Sequence, residues 1–200
     1  MRVKSEERRR AIIEVARQVF TELGFETTSM SQIAARVGGS KATLYNYFSS
    51  KDELFAAVIE EFGRQKIADA FTSLKPEAPL EQELCRFGEH YLGFVLSPEA
   101  LALRTVVFHE AGRSSVGREY YLRGPLKGWT QIRHYLDKQR QQGRIRCDDS
   151  WVAALHLKAL LDAELAEPCA LGVRPMPDVQ EIKQVTARAI RVFLAAYQQA

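Results

Sequence analysis

Side chains that hydrogen-bond phosphates or base edges are concentrated in one short stretch of the chain, residues 40–47. The stretch contains two hydroxyl residues, a lysine, an amide and two tyrosines: Ser40, Thr43, Lys41, Asn46, Tyr45 and Tyr47. Such groups donate to phosphate oxygens, and a lysine also donates to O6 and N7 of guanine. The stretch therefore indicates recognition of DNA, with Lys41 as the expected base contact.

Two short helices joined by a glycine turn are expected to position this stretch. Ser29 to Gln32 is a capping-box pattern that predicts a helix as far as Val37, and Gly38-Gly39 ends it. Ser40 then caps a third helix, 41–47. Two short helices around a tight turn are typical of a helix-turn-helix, whose second helix enters the major groove.

The buried faces of these helices follow from apolar spacing. Leu44 and Phe48 lie four residues apart and are expected to anchor the third helix, while Ile33, Ala34 and Val37 brace it from the second. This leaves Ser40 and its neighbours at the N-terminal end of the third helix, where the helix dipole favours phosphate.

Charge is unevenly distributed along the 200 residues. The net charge is only +3, but residues 1–51 hold nine Lys and Arg against five Asp and Glu. A basic module on a near-neutral body fits binding to a polyanion through one end. Arg8, Arg9 and Arg10 are either minor-groove or phosphate contacts or a solvated helix start.

Residues 27–54 closely resemble the helix-turn-helix signature of the tetracycline-repressor (TetR) family. The matching positions are Thr28, Ile33, Ala34, Gly38, Ser40, Thr43, Leu44, Tyr45, Tyr47, Phe48, Lys51 and Leu54. One position departs, because the residue between Gly38 and Ser40 is usually apolar, often valine, and here it is Gly39.

The resemblance implies a role for each matched position. Thr28 and the backbone beside it hold phosphate, and residues Ser40, Lys41, Ala42 and Thr43 lie at the major groove. The remaining phosphate contacts are Tyr45, Tyr47 and Lys51. Two of these residues also have an alternative role. Tyr45 could instead be a core tyrosine, and the Thr43 hydroxyl could instead only stabilise its helix.

The rest of the chain also reads as helix, because apolar residues recur at helical spacing and no sustained alternation is present. An all-α fold is expected, with a helix-turn-helix domain at 1–50, a connecting lever helix at 51–75 and a helical effector-binding and dimerisation domain at 76–200. Parts of 100–125 resemble the AefR-like C-terminal type, which implies a small effector without naming it.

Candidate pocket residues are aromatic or polar side chains within the apolar helices. They are Phe87, Tyr91, Phe94, Phe108, His109, Trp129 and His156. A pocket needs apolar walls with a few polar groups; the alternative for each residue is ordinary core packing.

The last two predicted helices, 151–167 and 179–197, each carry an apolar stripe. One stripe comprises Trp151, Ala154, Leu155, Lys158, Leu161 and Leu165, and the other Ile182, Val185, Ala189, Val192, Phe193 and Ala196. The resemblance implies that these helices form the homodimer interface; the alternative is that they close only the monomer's own core. Two copies would read a near-palindromic operator with half-sites roughly 34–36 Å apart.

Other classes of function find little support in the pattern. The four histidines lack metal-ligand spacing, and the three cysteines are widely spaced, so neither a metal, a cofactor nor a disulfide is expected. With no long apolar run and no leader pattern, we expect a cytoplasmic protein. The sequence therefore favours a repressor that a small effector releases from DNA by moving the lever helix. The first alternative is a ligand-independent activator or architectural DNA-binding protein, and a more distant one is a small helical enzyme.

Overall fold

The structure, a computed structural model, describes residues 5–199, and within them the chain forms twelve helices. They are α1 (Glu6–Leu23), α2 (Met30–Val37), α3 (Lys41–Tyr47), α4 (Lys51–Lys66), α5 (Ala68–Thr72), α6 (Leu80–Val95), α7 (Pro98–Glu110), α8 (Val116–Arg123), α9 (Pro125–Gln141), α10 (Ser150–Asp162), α11 (Ala166–Ala170) and α12 (Val179–Tyr197). The prediction of an all-α fold is confirmed. Arg2 and Lys4, which contribute to the basic N-terminal count, lie outside the described residues.

The helices group into two compact units. The first comprises the described residues up to Gln65 together with Ala102–Pro125, and the second comprises Lys66–Leu101 with the residues from Leu126 onwards. This division differs from the predicted segments 1–50, 51–75 and 76–200, because most of α7 and all of α8 group with the first unit. The functional meaning of those segments stays a prediction.

Side-chain caps begin the first three helices, and those at Ser29 and Ser40 lie where the sequence predicts. The Ser5 hydroxyl accepts a hydrogen bond from the Arg8 backbone N–H, and Ser40 accepts one from that of Thr43. At the start of α2, Ser29 and Gln32 form both halves of a capping box. These caps satisfy backbone donors that have no partner inside the helix, so local sequence fixes the helix starts.

The core of the second unit is formed mainly where α6 and α10 pack against α12. Its fully buried members include Leu84, Leu92, Leu157, Ile190 and Phe193. Burial of a large aliphatic or aromatic side chain contributes about 1.5–3 kcal/mol. This core therefore holds the long helices together whether or not another chain covers their outer faces.

Close approach between helices in this core depends on Gly88 of α6. A Cβ atom at Gly88 would lie 2.7 Å from Thr186 Cγ2 and 2.8 Å from Leu161 Cδ2. Both distances are shorter than real Cβ contacts, so a side chain at this position would force Thr186, Leu161 or their helices to shift. Gly93, on the same helix, has no atom within 4 Å of the corresponding position.

The predicted helix 151–167 is wrong at its C-terminal end. The helix ends at Asp162, and a separate short helix, α11 (Ala166–Ala170), follows it. Pro168 gives the physical reason, since its ring would collide with the carbonyl of Glu164 in a continuous helix. In the first turn of α11, proline displaces no intrahelical hydrogen bond.

The predicted lever also differs in detail. The sequence predicts a lever helix at 51–75, but α4 ends at Lys66 and Ile67 leaves helical geometry with φ −136°. The five-residue helix α5 follows, and Phe71 from it packs against the core of the second unit.

No single helix among residues 5–199 has the length and apolar character needed to cross a membrane; only α6 and α7 taken together, across a bend, meet that composition.

We expect Gly88→Ala to lower the free energy of unfolding by about 1–3 kcal/mol, because the added methyl overpacks the junction with Thr186 and Leu161. Gly93→Ala is the matched control on the same helix, and it should stabilise by up to about 1 kcal/mol because alanine favours helix. Urea denaturation measures both, and equal effects of the two variants would contradict the assigned packing.

Candidate nucleic-acid interface and effector region

The turn between α2 and α3 is built on the left-handed conformation of Gly38, whose φ is 71° and ψ 43°. Its N–H donates to Ala35 O at 3.2 Å, and the Gly39 N–H donates to Ala34 O at 3.1 Å. This pair of bonds is the Schellman arrangement, which favours glycine at the left-handed position because it has no Cβ. The turn satisfies the carbonyls of Ala34 and Ala35 and fixes where α3 begins.

One face of α3 is buried and the other is free. Leu44 and Phe48 are buried as predicted, while Lys41, Tyr45 and Asn46 are exposed. The Lys41 ammonium lies 5.8 Å from the centroid of the Tyr45 ring, on the exposed side. Since Tyr45 is 44% exposed, the alternative that it is a core tyrosine is excluded. The face carries an ammonium, a phenol and an amide that point away from the core.

The hydroxyls of α3 already have partners within the unit. Ser40 Oγ lies 2.9 Å from Thr43 Oγ1 while it caps the helix, so the Thr43 hydroxyl takes part in local stabilisation. The Tyr47 hydroxyl accepts a hydrogen bond from the Ser5 N–H at 3.2 Å. Each of these hydroxyls keeps further hydrogen-bonding capacity, because a hydroxyl has one donor and two acceptor sites. Ala42 is exposed beside them.

Two of the predicted phosphate-binding residues have internal roles. The Thr28 side chain is buried, and its hydroxyl donates to Gly24 O at 2.6 Å. The Lys51 ammonium donates to Phe25 O at 2.7 Å and lies 4.3 Å from the centroid of the Phe25 ring. Lys51 therefore joins the start of α4 to the segment after α1, and its phosphate contact stays a prediction.

An aromatic cluster supports this arrangement from beneath. The ring centroids of Phe20 and Phe55 lie 5.2 Å apart, and those of Phe25 and Phe55 lie 5.3 Å apart, both edge to face. These rings join α1, the following loop and α4 into one rigid support. Rigid support matters because a recognition helix is useful only if its exposed groups keep a fixed geometry.

The three consecutive arginines at the start of α1 differ in environment. Arg8 donates from Nη2 to Val37 O at 3.3 Å and to Gly38 O at 3.4 Å. The Arg9 guanidinium lies over the Phe48 ring at 5.2 Å, whereas Arg10 is exposed. Arg8 and Arg9 are thus bound to the helix-turn-helix itself. From the sequence we expected only DNA contact or a solvated helix start for these arginines, and did not predict this role.

Three of the predicted pocket residues come together in the second unit. The Trp129 ring centroid lies 5.8 Å from that of Phe87 and 5.2 Å from that of Tyr91, and Phe71 joins them at 5.1 Å from Phe87. The Tyr91 hydroxyl donates to Asp162 Oδ1 at 3.0 Å. Edge-to-face and stacked pairs of this kind form a well-packed aromatic wall.

The other predicted pocket residues do not join this cluster. In the second unit, Phe94 is half-buried, and His156 is exposed with its Nδ1 2.6 Å from Tyr197 Oη. In the first unit, Phe108 is 67% exposed, and His109 is exposed with Nδ1 3.2 Å from a carboxylate oxygen of Glu110. Residue type alone did not reveal which face of each helix would be buried.

Sequence reasoning also missed Tyr135 on α9. This tyrosine is buried in the second core, and its hydroxyl has no hydrogen-bond partner among the described residues. Burial raises the pKa of Tyr135 to about 12, and nearby Glu83 adds to the effect, so the phenol stays protonated. An aromatic at an apolar helical position gives no signal that its hydroxyl will be left unpaired.

The two predicted dimer stripes divide between core and surface. Buried members include Ala154, Leu161, Leu165, Val185, Ala189 and Phe193. Leu155 and Val192 are exposed, and Ala196 is exposed as well. Trp151, Lys158 and Ile182 are intermediate. Each helix therefore packs one side into its own unit and leaves apolar groups on another.

Within residues 5–199, no cluster of three or more His, Cys, Asp or Glu side chains has the arrangement of a metal site. Cys85 and Cys147 are partly buried and Cys169 is buried, all as free thiols.

Comparison with curated proteins gives relatives that are DNA-binding regulators. The transcriptional activator FasR of Mycolicibacterium smegmatis is 32% identical over 94 residues, which is 47% of this chain and 43% of FasR. The fatty acid metabolism regulator protein of Bacillus subtilis is 25% identical over 161 residues, 80% of this chain and 76% of that protein. The chain spans 42–53% of the length of the first three relatives.

Solved structures match over nearly the whole chain. A TetR-family regulator from Mesorhizobium loti has a TM-score of 0.86 at 27% identity, covering 99% of this chain and 100% of its own. The flavonoid-responsive regulator FrrA has a TM-score of 0.82 at 30% identity, covering 97% and 98%.

Family models match both parts of the chain. The bacterial regulatory proteins of the tetR family match residues 12–58, and the C-terminal domain of AefR-like transcriptional repressors matches residues 82–199. Together with the exposed face of α3, these matches establish that the chain belongs to the TetR family of helix-turn-helix transcriptional regulators.

Proposed function

We propose that the protein is a repressor that binds a near-palindromic operator as a homodimer and is released by a small effector. The observation behind this proposal is the exposed face of α3, on which Lys41, Tyr45 and Asn46 surround a helix anchored by Leu44 and Phe48. An anchored helix with outward ammonium, phenol and amide groups is suited to a major groove about 12 Å wide. Lys41 is proposed to read a base, and Tyr45 and Tyr47 to bind phosphates. Such a regulator acts in the cytoplasm, on chromosomal DNA.

Homodimerisation is proposed through the exposed apolar groups of α10 and α12. These helices pack on each other, and Leu155 and Val192 are 38% and 54% exposed. Exposed apolar side chains on two packed helices are suited to a four-helix contact with a second copy, which removes them from water. A dimer also places two recognition helices on successive half-sites.

The effector is proposed to bind in the second unit against Phe87, Tyr91 and Trp129. Aromatic walls suit an apolar or aromatic molecule, and the unpaired hydroxyl of buried Tyr135 offers a donor for a polar group on it. Relatives suggest two classes, since FrrA is flavonoid-responsive and a Bacillus subtilis relative regulates fatty acid metabolism. A coupling free energy of about 1–3 kcal/mol would lower DNA affinity roughly 5–150-fold, with α4 as the lever.

A second candidate is an activator. FasR, which shares 32% identity with this chain over 94 residues, is named a transcriptional activator. The face of α3 would bind DNA in the same way in either case. A reporter gene fused to the bound promoter separates the two, because deletion of a repressor raises expression and deletion of an activator lowers it.

We expect Lys41→Ala to weaken binding to DNA from upstream of the protein's own gene by about 5- to 150-fold, the loss of one base contact. Lys138→Ala removes the same charge from an exposed position on α9 and should have little effect. Fluorescence anisotropy with labelled duplex measures both. Wild-type protein that protects no DNA in moderate salt would overturn the proposed function.

We expect Val192→Glu to shift the protein from dimer to monomer, since each interface would then bury two carboxylates without partners. Val173→Glu is the matched control at a 77% exposed valine in the loop before α12, and it should stay dimeric. Sedimentation velocity reports the mass of each. A Val192→Glu variant that remains a dimer would refute the assigned interface.

We expect a flavonoid or a long-chain fatty acid, at about 100 times its Kd, to stabilise the protein by roughly 2.7 kcal/mol and to release DNA. Phe87→Leu should lose this response while it still binds DNA, because it removes one ring from the aromatic cluster. Leu171→Ala, at an exposed loop position, should respond like wild type. Thermal unfolding and anisotropy with each ligand provide the measurements; an unchanged response in Phe87→Leu would refute this site.

A further inference from the structure

The chain departs from the usual helix-turn-helix pattern at Gly39, and backbone conformation does not explain the departure. Gly38 has a positive φ and needs to be glycine, but Gly39 does not have one. A residue with a side chain would therefore meet no backbone strain at position 39. Some other feature must therefore account for the glycine.

The space beside Gly39 is taken by the side chain of Arg8. A Cβ atom on Gly39 would lie 3.2 Å from Arg8 Nη2, and nothing else comes within 4 Å of it. The same nitrogen donates to the carbonyls of Val37 and Gly38. A crevice at this point is lined by residues from α1, α2, the turn and α3: Arg8, Ile12, Ala34, Val37, Gly39, Ser40, Thr43 and Leu44.

Contacts from the start of α1 reach both ends of α3. Arg8 holds the turn that precedes α3, and the Ser5 N–H donates to the hydroxyl of Tyr47 at the end of α3. The backbone N–H of Arg8 is in turn bound by Ser5 Oγ at 3.2 Å. The cap of α1 and the position of α3 are thus linked through two neighbouring residues.

We propose that Arg8 is a positioning residue for the recognition helix, and that its guanidinium replaces the apolar side chain that position 39 usually supplies. The guanidinium fills the space above Gly39 and binds the free carbonyls at the C-terminal end of α2, where a cation is favoured by the helix dipole. Arg8 acts on DNA affinity through the geometry of α3 rather than as a phosphate contact. The inference rests on the proposed binding of DNA by α3.

Compensation between positions 8 and 39 tests the proposal. Arg8→Ala should weaken DNA binding about tenfold, the effect of losing hydrogen bonds from one charged group. The double variant Arg8→Ala/Gly39→Val should recover most of that affinity, because valine refills the vacated space. Gly39→Val alone should weaken binding, since its Cβ would lie 3.2 Å from Arg8 Nη2 and the guanidinium would have to shift away from the two carbonyls that it binds. Lys138→Ala, which removes a positive charge at an exposed position on α9, calibrates the effect of net charge alone.

The salt dependence of affinity separates positioning from direct contact. A residue that neutralises a phosphate contributes about 0.9 to the slope of log affinity against log salt. Arg8→Ala should leave this slope unchanged while affinity falls. A slope reduced by about one, or a double variant no better than Arg8→Ala, would overturn the proposal.

A measurement without DNA keeps this test independent of the proposed function. Amide hydrogen exchange of residues 39–43 should accelerate in Arg8→Ala and slow again in the double variant. Equal exchange in wild type and Arg8→Ala would overturn the positioning role even if DNA binding were intact. Failure of wild type to bind DNA, with the exchange pattern as expected, would instead refute only the function.

Discussion

The left-handed turn at Gly38 is the constraint on which the DNA-binding unit depends. It closes α2 with two backbone hydrogen bonds and sets the point at which Ser40 begins α3. Every functional group on α3 takes its position from that point, because a helix fixes the direction of each side chain once its start is fixed. Replacement of Gly38 by a residue with a Cβ would strain the backbone whatever space surrounds it.

Around this turn, several charged residues bind groups within the unit itself and so hold its helices in place. Arg8 binds the carbonyls that end α2, Arg9 covers Phe48, and Lys51 binds the carbonyl of Phe25. Such contacts hold four helices and the loop after α1 at fixed distances, and hydrogen bonds to charged groups contribute more than those between neutral groups. The groups left exposed on α3, Lys41 among them, are consequently presented from a stiff support.

The second unit depends instead on the size of the side chains that pack in its core. Gly88 allows α6 to approach Leu161 and Thr186, and the rings of Phe87, Tyr91 and Trp129 fill the neighbouring volume. Tight interiors are sensitive to single methyl groups, so an effector bound here would have to move rings or helices to be accommodated. We propose that this sensitivity couples effector binding to DNA binding, with the unpaired hydroxyl of Tyr135 available to the ligand.

The sequence by itself determined the features that depend on near neighbours. Ser29 with Gln32 and Ser40 cap helices where their spacing predicts, and Gly38 ends α2 as predicted. Local hydrogen bonds and backbone conformation decide such features, so four or five residues suffice to read them. The effect of Pro168 is also local. Proline disfavours a helix interior, so the sequence could have indicated that the helix ends early, at Asp162, but this end was not predicted.

Only the tertiary structure decided which partners the polar and aromatic side chains found. Arg8 lies 29 positions from Val37, and Lys51 lies 26 from Phe25, so no local pattern could assign those bonds. The same holds for exposed Phe108 and buried Tyr135, whose helical positions look alike in sequence. The physical reason is that a long side chain binds whichever acceptor the fold brings within reach, and that choice is made by packing between distant segments.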